Sequence, residues 1–491
     1  MTESPGRSAR LSELWRTGAA AVLVLAAVLR LYDLDRKPFH HDEGVNGFFL
    51  TKLVRQGVYQ YDPENYHGPT LYYLAAGLAQ VMGLETPALR GVTALAGIAV
   101  VALALGLHPF IGRWGALAAA ALLAASPGAV YFSRYFIHET LVVLFTFGVV
   151  AAGLRVGSPP RPAPLLLAVL SAALLFATKE TAGVHVAILG IAWALAGLLA
   201  GGPRVSLERG RREIRLGLAG VALFALVNAL LYSSFFTHLR GIPDAFRSLA
   251  VWSRTGTSAH VNPWHQHLTW IWAAEPTLLV LGACGVAVAL WRRDNRAALL
   301  VSFWALGMLS VYSLVPYKTP WLGLNATLPL GLVGGYALGR LAACGRVPAV
   351  LAAVTTVAVG AITAREAASL SLSRFDDEVH AYVYAHTHRR FTDMVTQIHR
   401  LARSPGQGSQ LAVTITSPEH WPLPWYLRDY ERAGYYGRIP ETIDGLVVVG
   451  STQQQRDLQV ALGARYRCLG RYPLRPGVDL VLFAHQDLPP Q

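Results

Sequence analysis

TGAAAVLVLAAVLRLYDLDRKPFHHDEG, residues 17–44, sets the terms for the whole chain. Its first part, about 17–32, is an apolar run that reads as a membrane helix. Its last part, Phe39-His40-His41-Asp42-Glu43-Gly44, puts two adjacent carboxylates and two histidines where that helix emerges into water. The run leads into further apolar segments and carries no small-residue cleavage site. It is therefore expected to span the membrane rather than to be removed as a signal peptide.

The composition agrees. Of 491 residues, 53% are hydrophobic and 14% charged, against about 25% charged in soluble domains; mean hydropathy is +0.37. The apolar residues gather into runs at about 17–32, 88–108, 114–132, 139–154, 163–178, 182–201, 216–236, 276–291, 297–315, 320–339 and 347–364. The segment 70–84 is shorter and rich in aromatics, and could span or lie in the interface. Loop charge decides, because cytoplasmic loops carry the Lys/Arg excess. With 70–84 outside the bilayer, Arg7, Arg10 and Arg16 face inward. So do Arg113, then Arg155 and Arg161, then Arg204, Arg209, Arg211, Arg212 and Arg215. Arg292, Arg293 and Arg296 follow, and then Arg340 and Arg346. Every alternate short loop is then basic. The expectation is about eleven transmembrane helices, with 70–84 a juxtamembrane helix.

On this topology 33–87, 133–138, 179–181, 237–275, 316–319 and everything after 365 share the outer face. The net charge of +13 marks inner loops and does not imply a nucleic acid partner. Only four of the 42 basic residues are lysine, namely Lys37, Lys52, Lys179 and Lys318. All four fall on the outer face, where cations are not favoured, so each is a candidate for binding something. Cys284, Cys344 and Cys468 are far apart and imply no disulfide framework. The tail, 366–491, has soluble composition: a helical period within 376–402, buried-strand patterns at 411–415, 446–449 and 479–483, and helical segments at 421–430 and 452–462. A small extracytoplasmic α/β domain is expected there, after a transmembrane domain at 1–365.

Chemistry-bearing residues recur at the outer ends of spans. Asp42 and Glu43 are flanked by Phe39, Phe48 and Phe49 and followed by Gly44 and Gly47. A packed turn of this kind tunes carboxylates. Tyr66-His67-Gly68-Pro69 turns the chain into the juxtamembrane helix. Glu139 closes Ser133-Arg134-Tyr135-Phe136-Ile137-His138-Glu139, and acids favour the first turn of a helix. In Ala177-Thr178-Lys179-Glu180 the adjacent Lys and Glu cannot face each other on a helix, so each needs another partner. His260, His265 and His267 lie in the outer loop without a strong zinc spacing. Pro316-Tyr317-Lys318-Thr319-Pro320-Trp321 holds a lysine in an aromatic turn suited to a phosphate. Carboxylates and cations over a bilayer suit transfer of a sugar from a lipid phosphate. A carboxylate takes the acceptor's proton and the cations stabilise the leaving phosphate. A transporter would instead need ionisable or helix-breaking residues at mid-membrane, and the charges here lie at span ends. A non-catalytic assembly partner, binding another protein through its α/β domain, is the other alternative.

These motifs resemble the GT-C fold of lipid-phosphate-sugar-dependent glycosyltransferases, which include protein O-mannosyltransferases and aminoarabinose transferases. They are most similar to the prokaryotic family of flippase-activity-associated membrane proteins. Tyr61-Asp62-Pro63 and Trp421-Pro422-Leu423-Pro424-Trp425-Tyr426-Leu427-Arg428-Asp429-Tyr430 share in the likeness. The resemblance implies a polyprenyl-phosphate-sugar donor and a glycan, lipid or protein acceptor at the outer face of the cell membrane. It implies Asp42, Glu43 and Glu139 as catalytic carboxylates and Lys179, Lys318 and Arg134 as donor-phosphate residues. Substrate contacts fall to His41, Tyr66, His67, Glu180 and Trp321. Aminoarabinose transferases bind zinc with a glutamate ahead of the juxtamembrane helix and a histidine of the later loop. Here those positions read His67 and His260, so a divalent metal between them is implied by that branch. The mannosyltransferase branch implies none. The alternative activity is flipping of the lipid-linked sugar.

Overall fold

The computed structural model describes residues 5–201, 210–258 and 260–489, without the side chains of 5–11 and 255–258. The side chains of Arg7 and Arg10, together with Arg204, Arg209 and Ala259, thus lie outside the described residues. The chain divides into two compact units, Met1–Leu34 with Gln56–Ser373, and Asp35–Arg55 with Arg374–Gln491.

In the first unit each of the eleven apolar segments is helical: Pro5–Leu31, Thr86–Leu105, Arg113–Ala125 with Pro127–Ser133, Glu139–Gly153, Pro162–Phe176, Ala182–Leu199, Arg211–Tyr232, Pro276–Arg292, Arg296–Leu314, Leu324–Ala342 and Arg346–Leu372. Six helices among the described residues are long and apolar enough to cross a membrane, and two bent pairs would raise this to eight. Glu139–Gly153 and Pro162–Phe176 have 15 residues each. At 1.5 Å per residue such a helix is about 22 Å long, shorter than the ~30 Å hydrocarbon core. Thr70–Met82, with 13 residues, is shorter still and fits the juxtamembrane expectation. In Arg211–Tyr232 and Arg346–Leu372 only 6% of the most apolar window is buried. Such a surface calls for lipid rather than water. The chain is a multi-pass membrane protein.

Helix ends inside this unit are closed by buried charge. The two bent pairs break by 57° at Ser126 and by 114° near Glu275. The Glu275 carboxylate, 1% exposed, accepts from Ser126 Oγ and from the Gly128 N–H at 3.1 Å. One break thereby satisfies the backbone that the other frees. Three buried arginines serve carbonyl ends. Arg30 donates to Ala124 O at 2.9 Å and Leu123 O at 3.0 Å. Arg90 donates to Leu34 O at 2.6 Å. Arg134 donates to Tyr32 O at 2.6 Å and Asp33 O at 2.8 Å, with longer bonds to Leu29 O and Arg30 O. A cation at a helix C-terminus also complements the macrodipole.

The second unit holds a five-stranded sheet in the order β2-β1-β3-β5-β4. Its strands are β1 (Val413–Ile415), β2 (Ala433–Tyr435), β3 (Val447–Ser451), β4 (Tyr466–Arg475) and β5 (Val478–His485). β1 runs parallel to β2 and β3, while β5 runs antiparallel to β3 and β4. The helix Phe391–Ala402 buries Phe391, Met394, Val395, Ile398 and Leu401 against Val413, Ile415, Val447, Val449, Leu480 and Leu482. The helical period expected over 376–402 is realised only in this second half. Before it the chain turns at Ala385, with φ of +48°, and Arg389 clamps Asp376 across that loop with Nε–Oδ2 at 2.8 Å.

The unit boundaries differ from the expected division at 365/366. Residues 35–55 of the first loop belong with the tail, and the packing says why. Phe39 stacks on Trp425 at 4.8 Å with planes 10° apart, and the Phe39 N–H donates to Tyr426 Oη at 2.9 Å. The helix His41–Gln56 lies so close to the tail that a Cβ on Gly44 would be 2.6 Å from Pro422 Cβ and 2.7 Å from Pro422 Cα.

Candidate active site

Two turns of the first unit that carry chemistry-bearing residues bind each other. The Gly68 N–H donates to Thr178 O at 3.0 Å, and the Thr70 N–H to Ala177 O at 3.0 Å. Thr70 Oγ1 donates to the same carbonyl at 2.7 Å. A Cβ on Gly68 would stand 2.2 Å from Ala177 O and 2.4 Å from its carbon. Only glycine allows this approach.

The contact delivers five ionisable groups to one place. Lys179 Nζ donates to Glu139 Oε1, and these residues are 6% and 5% exposed. His67 Nδ1 lies 3.0 Å from Glu180 Oε2. His138 Nε2 faces Gly68 O at 3.2 Å, and its ring is 4.7 Å from that of His67. Burial alone would favour loss of the Lys179 proton, but the Glu139 and Glu180 carboxylates outweigh it and hold the ammonium above its ordinary range. Burial would raise Glu180, yet the charge and hydrogen bond of His67, with Lys179, bring it below the usual carboxylate range. Burial, then the charges of His67 and Lys179, push His138 well below the usual histidine range. Deeper in, His185 joins Thr146 Oγ1 and Tyr312 Oη, both at 3.0 Å. Glu139, Lys179, Glu180 and His67 are thus one network. His138 was not foreseen as a site residue, and its only signal was its place next to Glu139.

In the second unit the Asp42-Glu43 pair splits. Glu43 is fully buried and its Oε2 accepts from the His40 N–H at 2.9 Å, closing the start of its own helix. The bond is of the kind that caps a helix start, and the carboxylate is enclosed. Asp42 is half-buried and its N–H is held by His40 Nδ1 at 3.2 Å. Arg475 Nη1 donates to His41 Nδ1 at 3.2 Å and also reaches Glu419. Burial lowers His41 to about 4; Asp42 works against this, while His40, Arg475 and His420 add to it. His41 is therefore neutral at physiological pH. Trp421 meets His41 edge-on at 6.3 Å and Phe48 at 5.9 Å. Arg475 carried no sequence signal.

Other expected residues are placed differently. Arg134 donates through Nη1 and Nη2 to the carbonyls named above, while its Nε has no hydrogen-bond partner among the described residues. Trp321 is 8% exposed and lies edge-on to Phe132 at 6.3 Å. Tyr66, half-buried with φ of +40°, sets its ring edge-on to His67 at 4.8 Å. His260 is edge-on to Tyr317 at 5.2 Å. Among the described residues no three His, Cys, Asp or Glu converge to hold a metal ion. Without such a cluster the residues present do not fit a metal between His67 and His260, and no step below runs through one.

Residues 66–233, which contain both docked turns, Glu139 and Lys179, match the family model described as dolichyl-phosphate-mannose-protein mannosyltransferase. No curated protein matches the chain in sequence. Among solved structures, ArnT from Cupriavidus metallidurans bound to undecaprenyl phosphate aligns with a TM-score of 0.71 at 16% identity, over 96% of this chain and 99% of that one. The Archaeoglobus fulgidus oligosaccharyltransferase, in complex with Zn and sulfate, aligns at 0.61 and 12% identity, over 90% and 69%. The arabinofuranosyltransferase AftD from Mycobacteria aligns at 0.53 and 14%, over 96% and 40%. The chain has the GT-C fold of membrane glycosyltransferases.

Proposed function

We propose that the protein is an inverting glycosyltransferase that moves one sugar from a polyprenyl phosphate to an acceptor hydroxyl on the extracytoplasmic face of the cell membrane. In this orientation the N-terminus is cytoplasmic and the tail extracytoplasmic. The observation that carries the reading is the family match over 66–233. It coincides with the interval in which Gly68 brings His67, Glu139, Lys179 and Glu180 into one buried network.

The reaction needs few parts. The Asp42 carboxylate takes the proton of the acceptor hydroxyl as that oxygen bonds to the anomeric carbon. The bond from that carbon to the phosphate oxygen breaks, and its electron pair leaves with the phosphate. A phosphate is already a weak base, so no strong general acid is required. Attack from the face opposite the leaving group inverts the anomeric centre. Asp42, unlike Glu43, is half-buried rather than enclosed, which supports its selection as the base. A glycan, a lipid or a protein can present the acceptor hydroxyl.

The test is transfer by purified protein in liposomes carrying polyprenyl-phosphate-linked radiolabelled sugars, with a cell-envelope extract as acceptor. Label reaching the acceptor with wild type and not with Asp42→Asn is the expected result. Labelled lipid crossing the bilayer with no transfer would replace the enzyme by a flippase.

A further inference from the structure

The two lysines assigned to the donor phosphate are not equivalent. Lys179 donates to Glu139 and has Glu180 beside it, two carboxylates around one ammonium. It has no charge left for an anion. Lys318 is the opposite case. It is 1% exposed, and its ammonium donates to one neutral acceptor, Val315 O. Among the described residues it has no carboxylate partner. A buried ammonium carries three donors and a full charge, and one carbonyl neutralises neither.

A second unsatisfied group lies within reach of its charge. His267 is 2% exposed, and neither ring nitrogen has a hydrogen-bond partner among the described residues. The loop geometry brings the two together. Val261 pairs with Tyr317. The Lys318 N–H donates to His260 O, and the Asn262 N–H to Pro316 O, both at 3.1 Å. One turn further, the helix Gln266–Ala274 begins. His267 and Ile271 are four residues apart and so share a face, and Ile271 Cγ1 lies 3.9 Å from the place of a Cβ on Gly323. That face therefore packs on the Pro320–Gly323 turn immediately after Lys318. The ring of His267 stands edge-on to Tyr312 at 6.1 Å and feels the Lys318 charge.

We propose that Lys318 and His267 form the cradle for a phosphate anion, the ammonium supplying charge and the imidazole N–H a directed donor, while Lys179 is a positioning residue for Glu139. This rests on the donor being a lipid phosphate for its biological occupant, but the cradle itself needs only the anion. No covalent step is involved.

The experiment is equilibrium binding of undecaprenyl phosphate, and separately of inorganic phosphate, to the full chain in nanodiscs. Three variants are compared with wild type: Lys318→Met, His267→Phe and His267→Gln. Lys318→Met is expected to abolish binding. His267→Phe keeps the ring and loses the donor, and is expected to weaken binding about tenfold or more. His267→Gln, which restores an N–H, recovers part of it. Retained affinity in His267→Phe overturns the cradle. So does a wild type that binds neither ligand. Inorganic phosphate binding with the same variant dependence, but no lipid phosphate binding, keeps the cradle and removes the lipid-linked donor.

Discussion

Replacing Lys179 by methionine strands two buried carboxylates. In the native protein Glu139 is 5% exposed and the Glu180 side chain 3%, and the Lys179 ammonium stands with both. Removing one partner of a buried ion pair costs about 3–5 kcal/mol, because the other charge stays behind without compensation. Glu139→Gln is milder. The amide oxygen still accepts from Nζ and Glu180 still balances the charge, so about 1–2 kcal/mol is expected. Lys179→Met/Glu139→Gln removes the Glu139 charge along with the cation, leaving Glu180 with its His67 partner. It should then cost about 2 kcal/mol less than the sum of the singles, within the range seen for coupled neighbours. The assay is denaturation of the purified chain by sodium dodecyl sulfate in mixed micelles, with tryptophan fluorescence as the signal. Additivity of the three variants within about 0.5 kcal/mol would refute the account of Lys179 as a charge already committed to Glu139.

Three further outcomes are expected. Gly68→Ala, whose Cβ would stand 2.2 Å from Ala177 O, should cost about 1–3 kcal/mol or more and abolish transfer; wild-type stability in the same micelle assay would show the turns able to separate freely. Gly44→Ala should push the helix His41–Gln56 off Pro422, and amide hydrogen exchange over 41–56 should accelerate while that of Phe391–Ala402 does not. His41 has a folded pKa of about 4 against 6.5 for the free side chain. The unfolded state therefore binds more protons between these values, and stability is lost as pH falls from 6.5 towards 4 and is flat above. In denaturant titrations of the tail fluorescence, His41→Leu should remove that slope, and a slope unchanged by the substitution would mean that another group titrates.

The helices were legible because bilayer-length apolar runs and arginine-marked loops are strong one-dimensional signals. All eleven segments proved helical. In the tail, β1, β3 and β5 were legible as compact apolar runs. β4 was not, because register shifts between Cys468 and Gly470 and again between Pro473 and Arg475 destroy its alternation. β2, three residues centred on Gly434, carries no periodic signal at all. Within the site, adjacency misled. Asp42 and Glu43 look equivalent in a sequence, yet one peptide step on a helix turns the second into the core. The match of Gly68 to Ala177 spans over a hundred residues and leaves no local trace beyond a glycine before a proline. Orphaned donors such as those of His267 appear only once burial is known.

The helix that carries Asp42 is completed by residues made long after it. The bond from the Phe39 N–H to Tyr426 Oη closes a separation of 387 positions, and Trp425 and Pro422 follow the same path. Such long-range closure forms late in folding, after the intervening helices have been inserted. The earliest loop of the nascent chain thus waits for the last segments before its carboxylate is fixed. An incomplete chain can place helices in the bilayer but lacks the Pro422, Trp425 and Tyr426 contacts against which the helix His41–Gln56 is seated.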